Sequence, residues 1–252
     1  MATISISSQL EAYYSTIRRN RWHWLLYINC RILLAFAFIV AGLVKIFGER
    51  FASGLSELHP LGAYLEALHH TGYYYTFIDY AQVLAGIFLL IPQTVLVGAL
   101  IYFPIIVNIC ILSFAVRFEG SFVSSPLMVL ANLYILVWHY DKLKYILPFN
   151  SYSKAVSIPR PNKYKTRFPV AFFIGVVSTI SFTVWLAHFG YQVMPRNSLK
   201  DCNSQFTNIE NDLIGQEFCQ CIHISGKPLR ECLKILETYK TKRLKKVSLF
   251  QT

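Results

Sequence analysis

Five long apolar runs constrain what this chain can fold into more than any other feature. They are Trp24 to Phe47, Tyr75 to Ile91, Val95 to Val116, Pro126 to His139 and Phe168 to His188. As a helix, an apolar run of about 20 residues crosses the hydrocarbon core of a bilayer, which is roughly 30 Å thick. The chain is 54% hydrophobic and only 15% charged, so it lacks the polar cover that a soluble core of buried helices would need. We therefore expect an all-α, polytopic membrane helix bundle with five spans.

The basic residues lie next to the predicted spans and predict their orientation. The segment Asp141 to Arg167 contains seven bases and one acid, and Arg18, Arg19 and Arg21 precede the first run. Lys and Arg accumulate on cytoplasmic loops, which predicts a cytoplasmic N-terminus and an external C-terminus. The stretch Lys240 to Lys246 is also basic, but it lies about 50 residues from the membrane, where the rule is weak. We expect a bacterial cytoplasmic (inner) membrane protein.

The net charge of +11 raises the question of a nucleic-acid partner. The bases sit beside apolar spans, where they contact anionic lipid headgroups, and no zinc-finger or RNA-binding motif accompanies them. The expected partners are therefore the lipid bilayer and a protein on the outer side, and no nucleic acid. The predicted organisation is a cytoplasmic segment (1–23), a four-helix membrane domain (24–150), a basic cytoplasmic linker (151–167), a fifth transmembrane helix (168–189) and a small, mostly helical extracytoplasmic domain (190–252).

Short motifs in the first two runs suggest a family. The first reads Arg31-Ile-Leu-Leu and then Gly42-Leu-Val-Lys45, and the second contains Gln82-Val-Leu-Ala-Gly86. Over residues 24–150 this resembles the DoxX-like family of four-helix integral membrane proteins, to which the chain adds a fifth span and a cysteine-containing tail. The family commonly has Glu where this chain has Gln82. The resemblance implies a membrane bundle, with a quinone as a possible cofactor, in proteins linked to sulfur-compound oxidation, maturation of disulfide-containing enzymes or membrane redox complexes.

Polar residues inside predicted spans are costly and therefore candidates for function. The candidates are Arg31, Lys45, Asp79, Gln82, Asn108, Asn132 and His139. Lys45 and Asp79 lie at similar predicted depth, so we expect them to pair, as a structural lock between helices or as a functional site. Arg31 lies deeper, within reach of the end of the fourth span, and is open to either interpretation. The three amides are expected to form interhelical hydrogen bonds worth about 0.6 kcal/mol each.

The tail contains four cysteines, namely Cys202, Cys219, Cys221 and Cys232. In an oxidising compartment an even number in a small segment predicts two disulfides, with three pairings open. Cys219-Gln-Cys221 lacks the spacing of a catalytic dithiol, and with His223 it lacks the spacing of a zinc finger, although both alternatives stay open. The pattern from Pro228 to Lys246 predicts a helix. Cys30 and Cys110 lie in apolar runs, where a thiol is usually inert.

Three functions are compatible with this sequence. The first is a non-catalytic membrane subunit that anchors and presents a disulfide-stapled outer domain to a partner. The second is a redox component, either quinone-linked or exchanging thiols with disulfides. The third is a small-solute carrier, against which the absence of evident inverted repeats argues. The motifs of nucleotide-binding proteins, zinc proteases and serine hydrolases are absent from the sequence, and no metal ligands are predicted.

Overall fold

The structure, a computed structural model, describes residues 13–143, 163–191, 193–206 and 212–238. The described residues contain twelve helices and no strand beyond an isolated bridge between Asn20 and Lys165. The helices are α1 (13–18), α2 (Arg21–Ile46), α3 (Pro60–His69), α4 (Tyr73–Leu90), α5 (Val95–Val116), α6 (Glu119–Phe122), α7 (Ser124–Trp138), α8 (Tyr140–Leu143), α9 (Val170–Phe189), α10 (Leu199–Asn203), α11 (Asp212–His223) and α12 (229–238). The predicted all-α class is confirmed. Most of the basic segment 141–167, and all of 240–246, lies outside the described residues.

Four helical segments of the described chain are long and apolar enough to cross a membrane. They are α2, α5, the segment Glu119–Trp138 and α9, and they coincide with the first, third, fourth and fifth apolar runs. This is the pattern of an integral membrane protein. The second run also folds as a helix, α4, but α4 is not one of these four, and it carries Asp79 and Gln82 within only 18 residues. The five-span count therefore stays a prediction.

The chain divides into two compact units. One comprises Met1–Gly42, Tyr80–Val107 and Pro126–Thr183, and the other comprises Leu43–Asp79, Asn108–Ser125 and Val184–Thr252. Each unit draws on separate stretches of sequence. The linear domain boundaries that the sequence suggests stay a prediction.

Close helix packing characterises the first unit. A Cβ on Gly98 would lie 2.7 Å from the backbone nitrogen of Leu89, so α4 and α5 approach as closely as a glycine permits. Gly86 likewise allows α4 to lie close to α2, because an added Cβ there would lie 2.7 Å from the Ile39 side chain. Small residues drive association in membranes because they allow such contact.

Helix α9 has little protein around it. Only 6% of the residues in its most apolar 18-residue stretch are buried, against 33% of those in the corresponding stretch of α2. In a bilayer an apolar helix needs no protein cover, because lipid tails solvate its side chains. Helix α9 therefore has the surface expected of a peripheral span.

The second unit contains α3, α6 and α10 to α12. Arg50 organises the loop before α3: its guanidinium donates to the carbonyl oxygens of Leu55 and Gly62 and forms an ion pair with Glu66 at 3.3 Å. Leu55 and two leucines of α3 form a small buried cluster above the end of α5. A larger cluster surrounds the tail cysteines.

Candidate functional site

The tail cysteines form two disulfides that centre on α11. Cys219 bonds to Cys202 of α10, and Cys221 bonds to Cys232 of α12. Residues two apart on a helix point about 200° away from each other, so one cross-link leaves each side of α11. This explains why a Cys-x-Cys spacing suits a central helix stapled to two neighbours. The predicted disulfides are confirmed, and the structure selects one of the three pairings. We call residues 193–238 the disulfide module.

The sulfur atoms of the disulfide module are buried. Cys202, Cys219 and Cys232 have no exposed surface, and Cys221 is buried as well. Disulfide exchange needs an attacking thiolate to reach a sulfur atom. The described structure blocks that approach, so these bonds act as cross-links of the core.

Two arginines join the disulfide module to the loop before α6. The Arg117 guanidinium donates to the Val193 carbonyl oxygen at 2.8 Å and lies 4.2 Å from the centroid of the Tyr191 ring. In the opposite direction, Arg196 forms an ion pair with Glu119. Both arginines have a positive φ, 52° and 54°, a conformation that costs a non-glycine residue about 1 kcal/mol or more. Contacts on both sides hold the two strained residues in place.

Two histidines lie at the same junction. His59 is buried, and its Nδ1 accepts a hydrogen bond from the Leu61 backbone N–H at 3.1 Å, which caps the start of α3. His223 of α11 lies 6.0 Å away, ring to ring, and its Nε2 donates to the Pro195 carbonyl oxygen at 2.7 Å. Burial, and then the charge of His223, lowers the pKa of His59 to about 4. His59 is therefore neutral at neutral pH and serves the junction through hydrogen bonds. His59 is not among the predicted site residues, although Pro60 at the first helical position marks the start of α3.

The predicted Lys45–Asp79 pair is confirmed. Lys45 Nζ lies 3.2 Å from Asp79 Oδ1, and the Asp79 side chain is fully buried. The ammonium group also lies 5.5 Å from the centroid of the Phe51 ring and 5.6 Å from that of Tyr75. A cation at these distances from two aromatic rings is attracted by their faces. The pair thus joins α2 to α4 in a mostly apolar setting.

Arg31 serves the end of α4. Its Nε donates to the Leu89 carbonyl oxygen at 2.9 Å and its Nη2 to the Leu90 carbonyl oxygen at 3.0 Å. The last carbonyl groups of a helix lack intrahelical partners and attract cations. This arrangement favours the packing interpretation of Arg31 over ligand binding. Arg31 reaches the end of the fourth span only through Tyr27. Its guanidinium lies 5.3 Å from the centroid of the Tyr27 ring, and the Tyr27 hydroxyl group is hydrogen bonded to His139.

His139 and Asp141 find other partners. His139 Nε2 is hydrogen bonded to the Tyr27 hydroxyl group at 2.9 Å. Asp141 forms an ion pair with Arg18 at 3.0 Å and accepts a hydrogen bond from the Tyr14 hydroxyl group at 3.1 Å. Burial raises the pKa of Tyr14 to about 12. From the sequence, Arg18 was predicted only to mark the cytoplasmic side. The four-residue spacing of Tyr14 and Arg18, which places both on one face of α1, was available to reveal the cluster.

The three predicted amides differ in their surroundings. Asn132 is fully buried, and its Nδ2 donates to the Ala99 carbonyl oxygen of α5 at 3.1 Å, which confirms the interhelical hydrogen bond. Gln82 is buried as well. The prediction for Asn108 is wrong, because its side chain is exposed. Asn108 lies about half a turn around α5 from Ala99, so it points away from the helices that Ala99 faces.

Free thiols and metal ligands are sparse in the described part of the chain. The free cysteines there are Cys30 and Cys110, both half-buried. No group of three or more His, Cys, Asp or Glu side chains among the described residues is arranged to hold a metal ion.

Comparisons with known proteins find one relative. The chain is 35% identical over 121 residues, covering 46% of its own length and 77% of the relative, to the uncharacterized protein YwoB of Bacillus subtilis (strain 168). No protein-family model matches the chain. No solved structure matches it either.

Proposed function

We infer a function for this chain, which belongs to the family of the uncharacterized Bacillus subtilis protein YwoB, from its own residues. It is a non-catalytic membrane subunit: the apolar helices anchor it, and the disulfide module is a rigid surface that a protein partner binds. The observation that carries this proposal is the burial of all four module cysteines. Cross-links that no thiol can reach give shape and stability rather than electron transfer.

The attachment of the module supports the same role. Arg117 donates a hydrogen bond to the carbonyl oxygen of Val193, the first residue of the module. Arg196 of the module forms an ion pair with Glu119, and His223 donates a hydrogen bond to the Pro195 carbonyl oxygen. A module tied down by several polar contacts loses little further conformational freedom when a partner binds. The arrangement suits presentation in one fixed orientation.

The proposal includes a location. In it, the membrane is the bacterial cytoplasmic (inner) membrane, the N-terminus is cytoplasmic and the disulfide module is external, with residues 24–150 forming a bundle of the DoxX-like type. The basic residues from 141 to 167 support this orientation. The two disulfides support an oxidising compartment for the module.

Alkylation separates this role from a redox function. The native protein is treated with iodoacetamide, digested and analysed by mass spectrometry. We expect the four module cysteines to remain as the two disulfides, whereas Cys30 and Cys110 serve as internal free-thiol references. Ready alkylation of Cys219 or Cys221 in the native protein would contradict the structural role and favour thiol–disulfide exchange.

Topology is tested in intact cells. Cells that express a variant lacking Cys30 and Cys110 and carrying Ser225→Cys, an exposed position of the module, are treated with a membrane-impermeant maleimide without reduction. We expect this introduced thiol to be labelled before the cells are opened. Labelling only after lysis would place the module inside and overturn the proposed orientation.

A further inference from the structure

Asp79 is a buried carboxylate with an unusually poor set of partners. Its side chain has no exposed surface. Beyond the ion pair with Lys45 at 3.2 Å, neither of its carboxylate oxygens has a hydrogen-bond partner among the described residues. An ionised carboxylate offers about four acceptor positions, and buried acceptors left empty cost free energy.

Asp141 provides an internal comparison. It is also a buried carboxylate, but Arg18 contacts one of its oxygens at 3.0 Å and the Tyr14 hydroxyl group contacts the other at 3.1 Å. The Tyr14 proton is shared with the Trp138 carbonyl oxygen at 2.7 Å, but each oxygen of Asp141 has a donor within 3.1 Å. Among the described residues, Asp79 has one cation and no hydroxyl, amide or backbone donor.

The environment of Lys45 tolerates a change of charge on Asp79. The Nζ ammonium lies 5.5 Å from the centroid of the Phe51 ring and 5.6 Å from that of the Tyr75 ring. These contacts attract the ammonium whether or not the carboxylate is charged. Proton uptake by Asp79 would therefore not leave Lys45 without any favourable partner.

The titratable and charged groups around Asp79 come from each neighbouring element. They are Lys45 of α2, His69 of α3, Tyr75 of α4, and Arg50 with Glu66 beside the tyrosine and the start of α3. His69 is half-buried, its ring lies 5.2 Å from that of Tyr75, and its buried Nδ1 has no hydrogen-bond partner in the described structure.

From this geometry we propose that Asp79 is a proton-binding site, buried between α2 and α4 and paired with Lys45. The carboxylate takes a proton from a hydronium ion, whose O–H bond breaks to leave water; an O–H bond forms on Asp79, no bond of the protein breaks, and no oxidation or reduction occurs. Protonation neutralises the carboxylate and weakens the only ion pair that Asp79 makes in the described structure. The site thereby couples the packing of α2 against α4 to proton concentration. Intramembrane carboxylates commonly serve such proton-linked functions.

Infrared difference spectroscopy tests the proposal on the full chain reconstituted in lipid vesicles. Spectra are recorded as the pH is lowered from about 8 to about 5, the interval in which an exposed carboxylate stays ionised. We expect a carbonyl stretching band of a protonated carboxylic acid to appear in the wild-type protein and in Asp141→Asn, and to be absent in Asp79→Asn. A band that persists unchanged in Asp79→Asn would overturn the assignment to Asp79.

Carbodiimide labelling of the unmodified protein keeps the proposal testable if Asp79→Asn does not fold. Dicyclohexylcarbodiimide, an apolar reagent, reacts with protonated carboxyl groups, and peptide mass spectrometry locates the adduct. We expect Asp79 to be labelled at least several-fold more than Asp141, and more strongly at the acidic end of the pH range. Equal labelling of the two residues, or labelling that does not rise with acidity, would refute proton binding at Asp79.

Discussion

Removing the disulfides of the module is the most quantitative perturbation that the structure offers. The two bonds close loops with sequence separations of 17 and 11 residues. Closing a loop of about 15 residues destabilises the unfolded chain by about 3 kcal/mol. We therefore expect Cys202→Ala/Cys219→Ala and Cys221→Ala/Cys232→Ala each to cost about 3 kcal/mol, with the longer loop costing about 0.4 kcal/mol more. Removing both bonds costs about 6 kcal/mol, more than the core of so small a module usually supplies.

Chymotrypsin digestion of the protein in detergent reports on the module directly. Phe218 has no exposed surface, so cleavage there requires the module to open. When opening is fast relative to cleavage, the rate follows the open population, and a loss of 3 kcal/mol raises it about a hundredfold. We expect each double variant to be cleaved at Phe218 about that much faster, and the variant without both disulfides to be unfolded. A Cys30→Ala/Cys110→Ala protein is the matched control and should behave as wild type. If the variant without disulfides were as resistant as wild type, cross-linking would not be what stabilises the module.

Three further predictions follow from other contacts. Gly98→Ala should destabilise the membrane unit by about 2 kcal/mol, because its Cβ would lie 2.7 Å from backbone, whereas Gly175→Ala, with nothing within 4 Å, should leave the detergent melting temperature unchanged. Leu58→Cys/Gly226→Cys should form a disulfide, because a Cβ on Gly226 would lie 3.8 Å from that of Leu58. Mass spectrometry of non-reduced peptides would detect the cross-linked pair. Absence of this cross-link would contradict the contact between the module and the loop before α3. The pKa of His59 lies below its ordinary value of 6.5, at about 4, so its stabilising contribution is complete above pH 6.5 and is lost as the pH falls to about 4; protease resistance of α3 should fall over that interval in wild type and change less in His59→Asn.

Local pattern sufficed for much of this structure. Each predicted span corresponds to a helix because an apolar run in a membrane must satisfy its own backbone hydrogen bonds. The Lys45–Asp79 pair was predictable because two opposite charges at one depth have few alternatives. The disulfide count was predictable from an even number of cysteines in a small segment, whereas the pairing depended on how α11 lies between its neighbours.

Other residues could not be assigned from sequence. Asn108 and Asn132 look equivalent, because each lies in an apolar run. The rotation of each helix about its axis decides that Asn132 bonds to Ala99 whereas Asn108 is exposed. Arg31 was ambiguous because its partners are carbonyl oxygens, a type of group that every residue carries. His59 joined the module junction through contacts with residues far along the chain.

The sequence by itself determined that this protein is helical and apolar enough for a membrane, since both properties follow from composition and from hydrogen-bond satisfaction within single segments. Only the tertiary structure decided which polar groups meet. It paired Arg18 with Asp141, bound Arg31 to the end of α4, and left Asp79 with one cation among the described residues. These outcomes depend on helix rotation and on contacts between distant segments, which local residue patterns do not encode.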